Sequence, residues 1–468
     1  MNVIIENLGP IRKMEFDLDK KISIFCGPNN TGKTYVSYIL YAFTRRRISL
    51  PEDKLTEAQL IELISNQKLE LLLDANRVYE IMMERLESIK NDLTTIFGVT
   101  ESMAKALFSG FKIGLSVDKM AFGTYMKKSE YSFVINYKSK QLAIVKKEAG
   151  KNVLSIELVS PIAEENREAI RTELLSQIFF KLIISPIYDS HFFPVERNSL
   201  YTYYKDISFN RNQLFDFLQG QEGDDRKAAL DFVLRNTSRF PLVISHTLND
   251  ANRMSQLSKE TGFYAALADE IEREILNGRI SLTEDGDLRF ASEKAIEKIV
   301  PIQLSASMTK SVSGIVFYLR HLSEEGDLMF IDEPEVNCHP NTQILISRIF
   351  AKMVRAGIRL VVSTHSDYII RELNNLIMLS GVHGSIDNQL RQWGYDEDVF
   401  LTPDEVAAYL FTYGSDNLVD VESIEVSDSG FEVITIDETI SSLNEISENL
   451  YYRLRYGNNE ESKQEIDA

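Results

Sequence analysis

The sequence predicts an α/β fold with a mixed sheet, and three observations carry that reading. A strand-like segment, KISIFC, runs directly into the loop GPNNTGKT and then into the helical apolar run YVSYILYAF. Far downstream, the apolar runs LMFID and IRLVVS are separated by an amphipathic helical pattern, as in buried parallel strands covered by helices. Between these halves the texture changes, so residues 51–185 read as an insertion of helices and a small sheet. The chain then divides into 1–50 and 186–380, two parts of one domain, the inserted arm 51–185, and an acidic α+β lobe over 381–468.

At the start, VIIENLGPIRKMEFDLD alternates apolar and polar residues about Gly9-Pro10, which predicts an antiparallel strand pair leading to KISIFC. The first helical run continues to Arg45, Arg46 and Arg47, and Pro51 marks a break. LTEAQLIELI and ANRVYEIMMERLESIKNDL have helical periodicity, whereas YSFVINYKSKQLAIVKK and NVLSIELV alternate like strands. After Ser160 and Pro161, Ile170, Leu174, Ile178 and Leu182 recur every four residues and form one apolar stripe of a helix. Then come HFFPVERNSLY, a polar helical stretch over 206–276, and two short strands about a Glu284-Asp285-Gly286-Asp287 turn. LSASMTKSVSGIVFYLRHL is a polar loop feeding a helix, and the end of the chain reads as strands followed by a helix.

The 468 residues, 44 % hydrophobic and 26 % charged, have the composition of an ordinary globular protein, which excludes a disordered or collagen-like chain. Two cysteines, Cys26 and Cys338, make no disulfide framework, and no Cys or His pair has metal-ligand spacing, so a reducing cytoplasm is expected. The opening MNVIIENLGP is unlike a secretory signal, and no stretch reaches the ~20 apolar residues of a membrane span, so no membrane partner is expected. The net charge of -19 repels nucleic acid at long range. That charge is uneven: from Asp404 onward, 16 acidic residues face only Arg453, Arg455 and Lys463. Such a tail either docks a basic partner or keeps the protein soluble.

Gly27-Pro28-Asn29-Asn30-Thr31-Gly32-Lys33-Thr34 fits the phosphate-binding pattern G-x-x-x-x-G-K-[ST]. Glycines let backbone amides turn inward around phosphate oxygens, the following helix offers its positive end, Lys33 reaches the terminal phosphates, and Thr34 ligates magnesium. The run LMFID ends in Asp332 and Glu333, where Asp332 can hold the magnesium through water and Glu333 can polarise an attacking water. His365 follows Asp332 by 33 residues, across one helix, and sits at a strand end suited to sensing the terminal phosphate.

In order and composition these motifs resemble the ABC-type ATPase heads, in the soluble branch that includes SMC-like heads and the overcoming-lysogenization-defect family. NLGPIRKMEFDLDKKISIFCGPNNTGKT resembles the opening of that family, IDEPEVNCHP its Walker B and D-loop, and STHSDYIIRELNNLI its switch-histidine segment. The resemblance implies a P-loop NTPase head that binds ATP and Mg2+, and a head-to-head homodimer or higher homo-oligomer in which each site is completed by a partner's signature segment. Within LSASMTK the signature serine is Ser307, with Ser305 the alternative register. PVERNSL resembles a recurrent Pro-x-Glu-Arg element, in which Glu196 and Arg197 form a structural salt bridge or serve catalysis.

The length of the insertion and of the tail argues against long coiled-coil arms and a fused nuclease. Compact heads of this kind resemble the ATPase components of bacterial phage-defence systems such as Septu and PARIS, which implies a separate nuclease or toxin effector as partner. The alternative is a DNA repair or chromosome-maintenance ATPase that binds DNA directly. It would use Arg45-Arg46-Arg47 and the seven lysines Lys127, Lys128, Lys138, Lys140, Lys146, Lys147 and Lys151, unless both stretches are solvated faces.

Overall fold

The computed structural model describes residues 2–45, 55–137, 140–184, 189–205, 207, 240–293, 299–382 and 386–456. In chain order its strands are β1 (Asn2–Leu8), β2 (Ile11–Asp17), β3 (Ile22–Cys26), β4 (Lys68–Leu72), β5 (Lys112–Leu115), β6 (Tyr131–Tyr137), β7 (Lys140–Lys147) and β8 (Val153–Leu158). They continue as β9 (Ser190–Phe193), β10 (Gly278–Leu282), β11 (Leu288–Ser292), β12 (Ile299–Pro301), β13 (Leu328–Asp332), β14 (Arg359–Ser363), β15 (Val406–Tyr413) and β16 (Val419–Ile424).

Nine strands form one mixed sheet in the order β5-β1-β2-β16-β15-β3-β14-β13-β9. The run β15-β3-β14-β13-β9 is wholly parallel. The β1-β2 and β15-β16 hairpins are antiparallel. Every residue of ISIFC and LMFID is buried, as expected of strands covered on both faces. Side chains alternate across a strand, so Phe330 of β13 faces Tyr41 of the helix Lys33–Arg45, ring centroids 5.9 Å apart, while Met329 and Ile331 point to the other face. The helices Pro340–Arg355 and Asp367–Ser380 follow β13 and β14 in turn, making the strand–helix alternation read from the sequence.

The insertion holds the expected small sheet, β4-β8-β7-β6, and its stripe Ile170, Leu174, Ile178 and Leu182 is buried on the helix Arg167–Ile184. Three strands of the large sheet, β5, β15 and β16, come from segments that the division of the sequence sets outside it. From 51–185, β5 pairs with β1 at one edge. From the acidic lobe, VAAYLFTY becomes β15 and lies beside β3, with Leu410 opposite Cys26. An apolar strand set beside the buried β3 removes more apolar surface from water than a separate lobe would.

The insertion also grips the first helix. Arg85, buried on Ala75–Asn91, donates from Nε to the Phe43 carbonyl (2.6 Å) near that helix's end. Arg45 closes the same end through an ion pair with Asp189, just before β9. Behind it lies a polar cavity of about 170 Å³ lined by Asp189, His191, Asp250, Tyr318 and Asp327. Asp189 and Asp327 precede parallel strands, so this cavity sits at the end of the sheet away from Lys33.

Candidate functional site

The loop between β3 and the Lys33–Arg45 helix is shaped by its glycines. Gly27 has φ +127°, and a Cβ there would come within 2.2 Å of the Phe411 carbonyl oxygen on β15. Gly32 has φ +88°, and its Cβ would meet Ile11 at 2.9 Å. Pro28, Asn29 and Asn30 form an exposed tip, whereas Thr31 is buried and donates to the Pro28 carbonyl (2.8 Å). Tyr413, at the end of β15, donates to the Asn30 carbonyl (2.9 Å) and so holds that tip from the side. The backbone N–H groups of the first helical turn have no partners within the helix and are available to an anion.

Lys33 is buried and donates to the carbonyls of Gly27 (3.0 Å) and Pro28 (2.7 Å). Burial lowers its ammonium pKa, opposed by the charges of Asp332, Glu333 and Glu335. Thr34 donates from Oγ1 to Asp332 Oδ2 (3.2 Å), and Ser363 at the end of β14 donates to the other oxygen of Asp332. Burial raises the Asp332 pKa, and the two hydroxyl bonds oppose that shift. Thr34 and Asp332 are hard oxygen donors facing each other across a hydrogen-bond distance, a donor set that fits magnesium sharing its sphere with water and phosphate. Among the described residues, no group of three or more His, Cys, Asp or Glu side chains is arranged to hold a metal by itself.

Glu333 follows with its backbone in the left-handed region, φ +46°. Its amide donates to the Ser363 carbonyl (3.1 Å), and its carboxylate lies 3.9 Å from His365 Nε2. Burial, then the neighbouring Asp332, raises the Glu333 carboxyl pKa. Burial and then Lys33 lower that of His365 to about 4, so the imidazole is neutral near pH 7.

The sequence leaves Arg197 between a salt bridge and a catalytic group, and the structure gives it a different role. Arg197 is buried and donates to the carbonyls of Asp332 (2.6 Å), Glu333 (2.9 Å), Pro194 (3.1 Å) and Ser311 (3.2 Å). It therefore clamps the Asp332-Glu333 turn and ties it to the Ser307–His321 helix. Glu196 is exposed.

Glu335 and Ser363 belong to the site although the motifs did not single them out. Glu335 Oε1 accepts from the His365 amide (2.7 Å) and from Thr364 Oγ1 (3.0 Å), fixing the loop that carries His365. The repeated acid in Asp-Glu-Pro-Glu was the available signal for Glu335. His339 caps the Pro340–Arg355 helix, with Nδ1 accepting from the Asn341 amide (3.3 Å), so the His-Pro pair starts a helix.

Thus Lys33, Thr34, Asp332, Glu333 and His365 are gathered at the C-terminal ends of β3, β13 and β14, with the loop 27–32 beside them. Ser307 is not joined to them by any described hydrogen bond; it is exposed on the first turn of its own helix. Ser305 spends its hydroxyl on the Ile302 carbonyl (2.7 Å) in the preceding turn. Cys26 and Cys338 have thiol pKa values pushed up by burial to about 12 and about 11, which makes both poor nucleophiles.

Among the described residues, the two basic stretches carry less open charge than their composition suggests. Lys147 is buried and donates to the carbonyls of Lys127, Ser129 and Glu148. Lys146 and Lys151 pair with Glu157 (3.7 Å) and Glu148 (2.6 Å). Arg46, Arg47 and Lys138 lie outside the described residues. No described helix is long and apolar enough to cross a membrane.

No curated protein matches the chain. Among solved structures, similarity extends to an Smc head bound to the C-winged helix domain of ScpA, at 8 % identity and TM-score 0.36, covering 92 % of this chain and 98 % of that one. It also extends to an Smc head with an extended coiled coil bound to the C-terminal domain of ScpA, from Pyrococcus furiosus, at 10 % identity, TM-score 0.35, and 95 % and 98 % coverage. An SMC head from Thermotoga maritima matches at 8 % identity, TM-score 0.30, and 91 % and 98 % coverage. The profile of the AAA ATPase domain matches residues 1–370, most of the chain, and this protein belongs to the AAA ATPase domain family.

Proposed function

We propose that this chain binds and hydrolyses ATP between paired heads, and that the cycle controls a separate nuclease effector in a bacterial anti-phage complex. The observation that carries the ATPase chemistry is the meeting of Lys33, Thr34 and Asp332 at the loop, with Glu333 beside His365. Magnesium, when bound, supplies charge neutralisation between the terminal phosphates, and Thr34 and Asp332 are the residues that would hold it. The loop amides and the Lys33 ammonium cradle the phosphates. Glu333, partly exposed and beside His365, accepts a hydrogen bond from the attacking water, and neutral His365 donates to the terminal phosphate. Ser307, exposed at a helix N-terminus, is suited to reach the phosphate bound by a second head.

Lys33→Ala is expected to abolish nucleotide binding, and Glu333→Gln to retain ATP while hydrolysis falls by about 10²–10⁴-fold. Unchanged turnover in either variant overturns the site assignment. The effector part is tested by copurification with the product of the adjacent gene: a nuclease in the complex supports it, and a chain that purifies alone beside no nuclease gene rejects it. Stimulation of turnover by duplex DNA, lost as salt rises, would favour direct DNA binding instead.

A further inference from the structure

The C-terminal helix Ile434–Tyr456 stands on a fixed base and then leaves the body of the protein. Its base is held by Phe431 and Val433, both buried, and by Asn374, which exchanges hydrogen bonds with the Phe431 backbone (2.8 and 3.0 Å). From Ser441 to Arg455 every residue except the half-buried Asn449 is exposed. Among these, Leu443 is 58 % exposed, Leu450 62 % and Leu454 86 %. Exposed apolar side chains of this size are ordinary singly, but here they are in register. Ile436, Ile440, Leu443, Ser447, Leu450 and Leu454 recur at alternating intervals of four and three residues, the seam of a two-helix coiled coil. Ile446, 52 % exposed, widens the stripe.

The charges say which helix covers it. Asp437 and Glu438 lie at the start of the helix, Glu445 and Glu448 near its middle, and Arg453 and Arg455 in the last turn. A second copy laid parallel would set acid on acid. Laid antiparallel, it brings Arg453 and Arg455 alongside the partner's acidic first turn and opposes the two helix dipoles favourably. The same orientation stacks Ile440 against Leu450 and Leu443 against Ser447, and sets Leu454 at the level of Ile436, which is half-buried against the body of its own chain. We propose that this helix pairs antiparallel with the same helix of a second copy of the chain, through an interface separate from the nucleotide-dependent meeting of heads. It does not rest on the ATPase reading.

The test is sedimentation equilibrium of the full chain in chelator without nucleotide, where heads have no shared ATP to hold them. Wild type is expected to sediment as two copies or a multiple of two, and Leu443→Glu combined with Leu450→Glu to halve the particle mass while nucleotide binding and melting temperature stay at the wild-type level. Orientation is read by cysteine pairs. A mixture of Ile440→Cys and Leu450→Cys chains should oxidise to a dimer holding one of each. Either variant alone should not, because identical positions lie about 15 Å apart in the antiparallel pair, beyond disulfide reach. A wild-type chain that sediments as one copy, a double variant that keeps the wild-type mass, or homotypic cross-links each overturn the proposal, whatever other protein the helix is then found to hold.

Discussion

The Arg197 guanidinium donates to the carbonyl oxygen of Glu333 at 2.9 Å, and Glu333 is held there with φ at +46°. A non-glycine residue in that region costs about 1–3 kcal/mol unless its surroundings over-determine it, and Arg197 supplies the constraint by holding the peptide units on both sides of the turn. A lysine offers one ammonium in place of the planar fork and leaves buried carbonyls without donors. Arg197→Lys should therefore lower stability on the order of 3 kcal/mol and reduce kcat about tenfold or more, with nucleotide affinity changed far less. Denaturant midpoints, phosphate release and titration with a non-hydrolysable analogue separate these effects. A fall in affinity with kcat intact would contradict the clamp.

Gly27 is constrained from the far end of the chain. Its positive φ excludes a side chain at low cost, and the Phe411 carbonyl 2.2 Å from the place of a Cβ excludes it by contact. Gly27→Ala must therefore push β15 away from β3 or collapse the loop. Loss of nucleotide binding together with a lowered melting temperature is expected, and an alanine variant that melts and binds like wild type would show that β15 does not sit against this loop.

These two relationships mark where the sequence was readable and where it was not. The loop 27–34, Asp332 and His365 were legible because their chemistry needs particular residue types at strand ends, and those types are rare in that order. VAAYLFTY is apolar like LMFID, yet it lies in a stretch that is acidic as a whole. Nothing local says that it pairs with β3 across almost 400 residues. Arg197 was ambiguous for a related reason: a side chain that binds only carbonyls leaves no partner residue to recognise. Ser307 rests on resemblance, with Ser305 as the alternative register, because no local chemistry within LSASMTK tells the two serines apart.

That choice has a consequence for turnover. The Ser305 hydroxyl is already committed to the Ile302 carbonyl, whereas Ser307 is an exposed residue on the first turn of a helix. Ser305→Ala should cost about 1 kcal/mol of stability and leave turnover unchanged. Ser307→Ala should leave stability and nucleotide binding intact and lower turnover about tenfold or more where heads pair, the effect of removing a donor to developing charge. Equal effects from the two substitutions would remove Ser307 from the reaction.

A last consequence concerns pH and the polar cavity below the sheet. Burial raises Asp327 to about 8 and Asp250 to about 6, and lowers His191 to about 3. Asp327 also accepts from the Tyr318 hydroxyl and from the Glu324 amide (2.7 Å), contacts that a neutral carboxyl keeps. A carboxyl raised in the folded state favours folding below its unfolded value and loses that contribution as pH rises to the folded one. A histidine lowered on folding works in the opposite sense below pH 6.5, where the unfolded chain takes up the proton. Between pH 6.5 and 8, His191 is neutral in the folded state and mostly so in the unfolded one, and Asp250 is largely ionised in both, so of these three groups Asp327 dominates the difference. Stability should then fall across that interval by roughly 2 kcal/mol, at about 1.4 kcal/mol per pH unit for one proton. Asp327→Asn carries no such proton and should flatten the decline. Unfolding midpoints of the two chains across this interval decide it: parallel profiles would mean that Asp327 is ionised throughout, with the cavity solvating its charge.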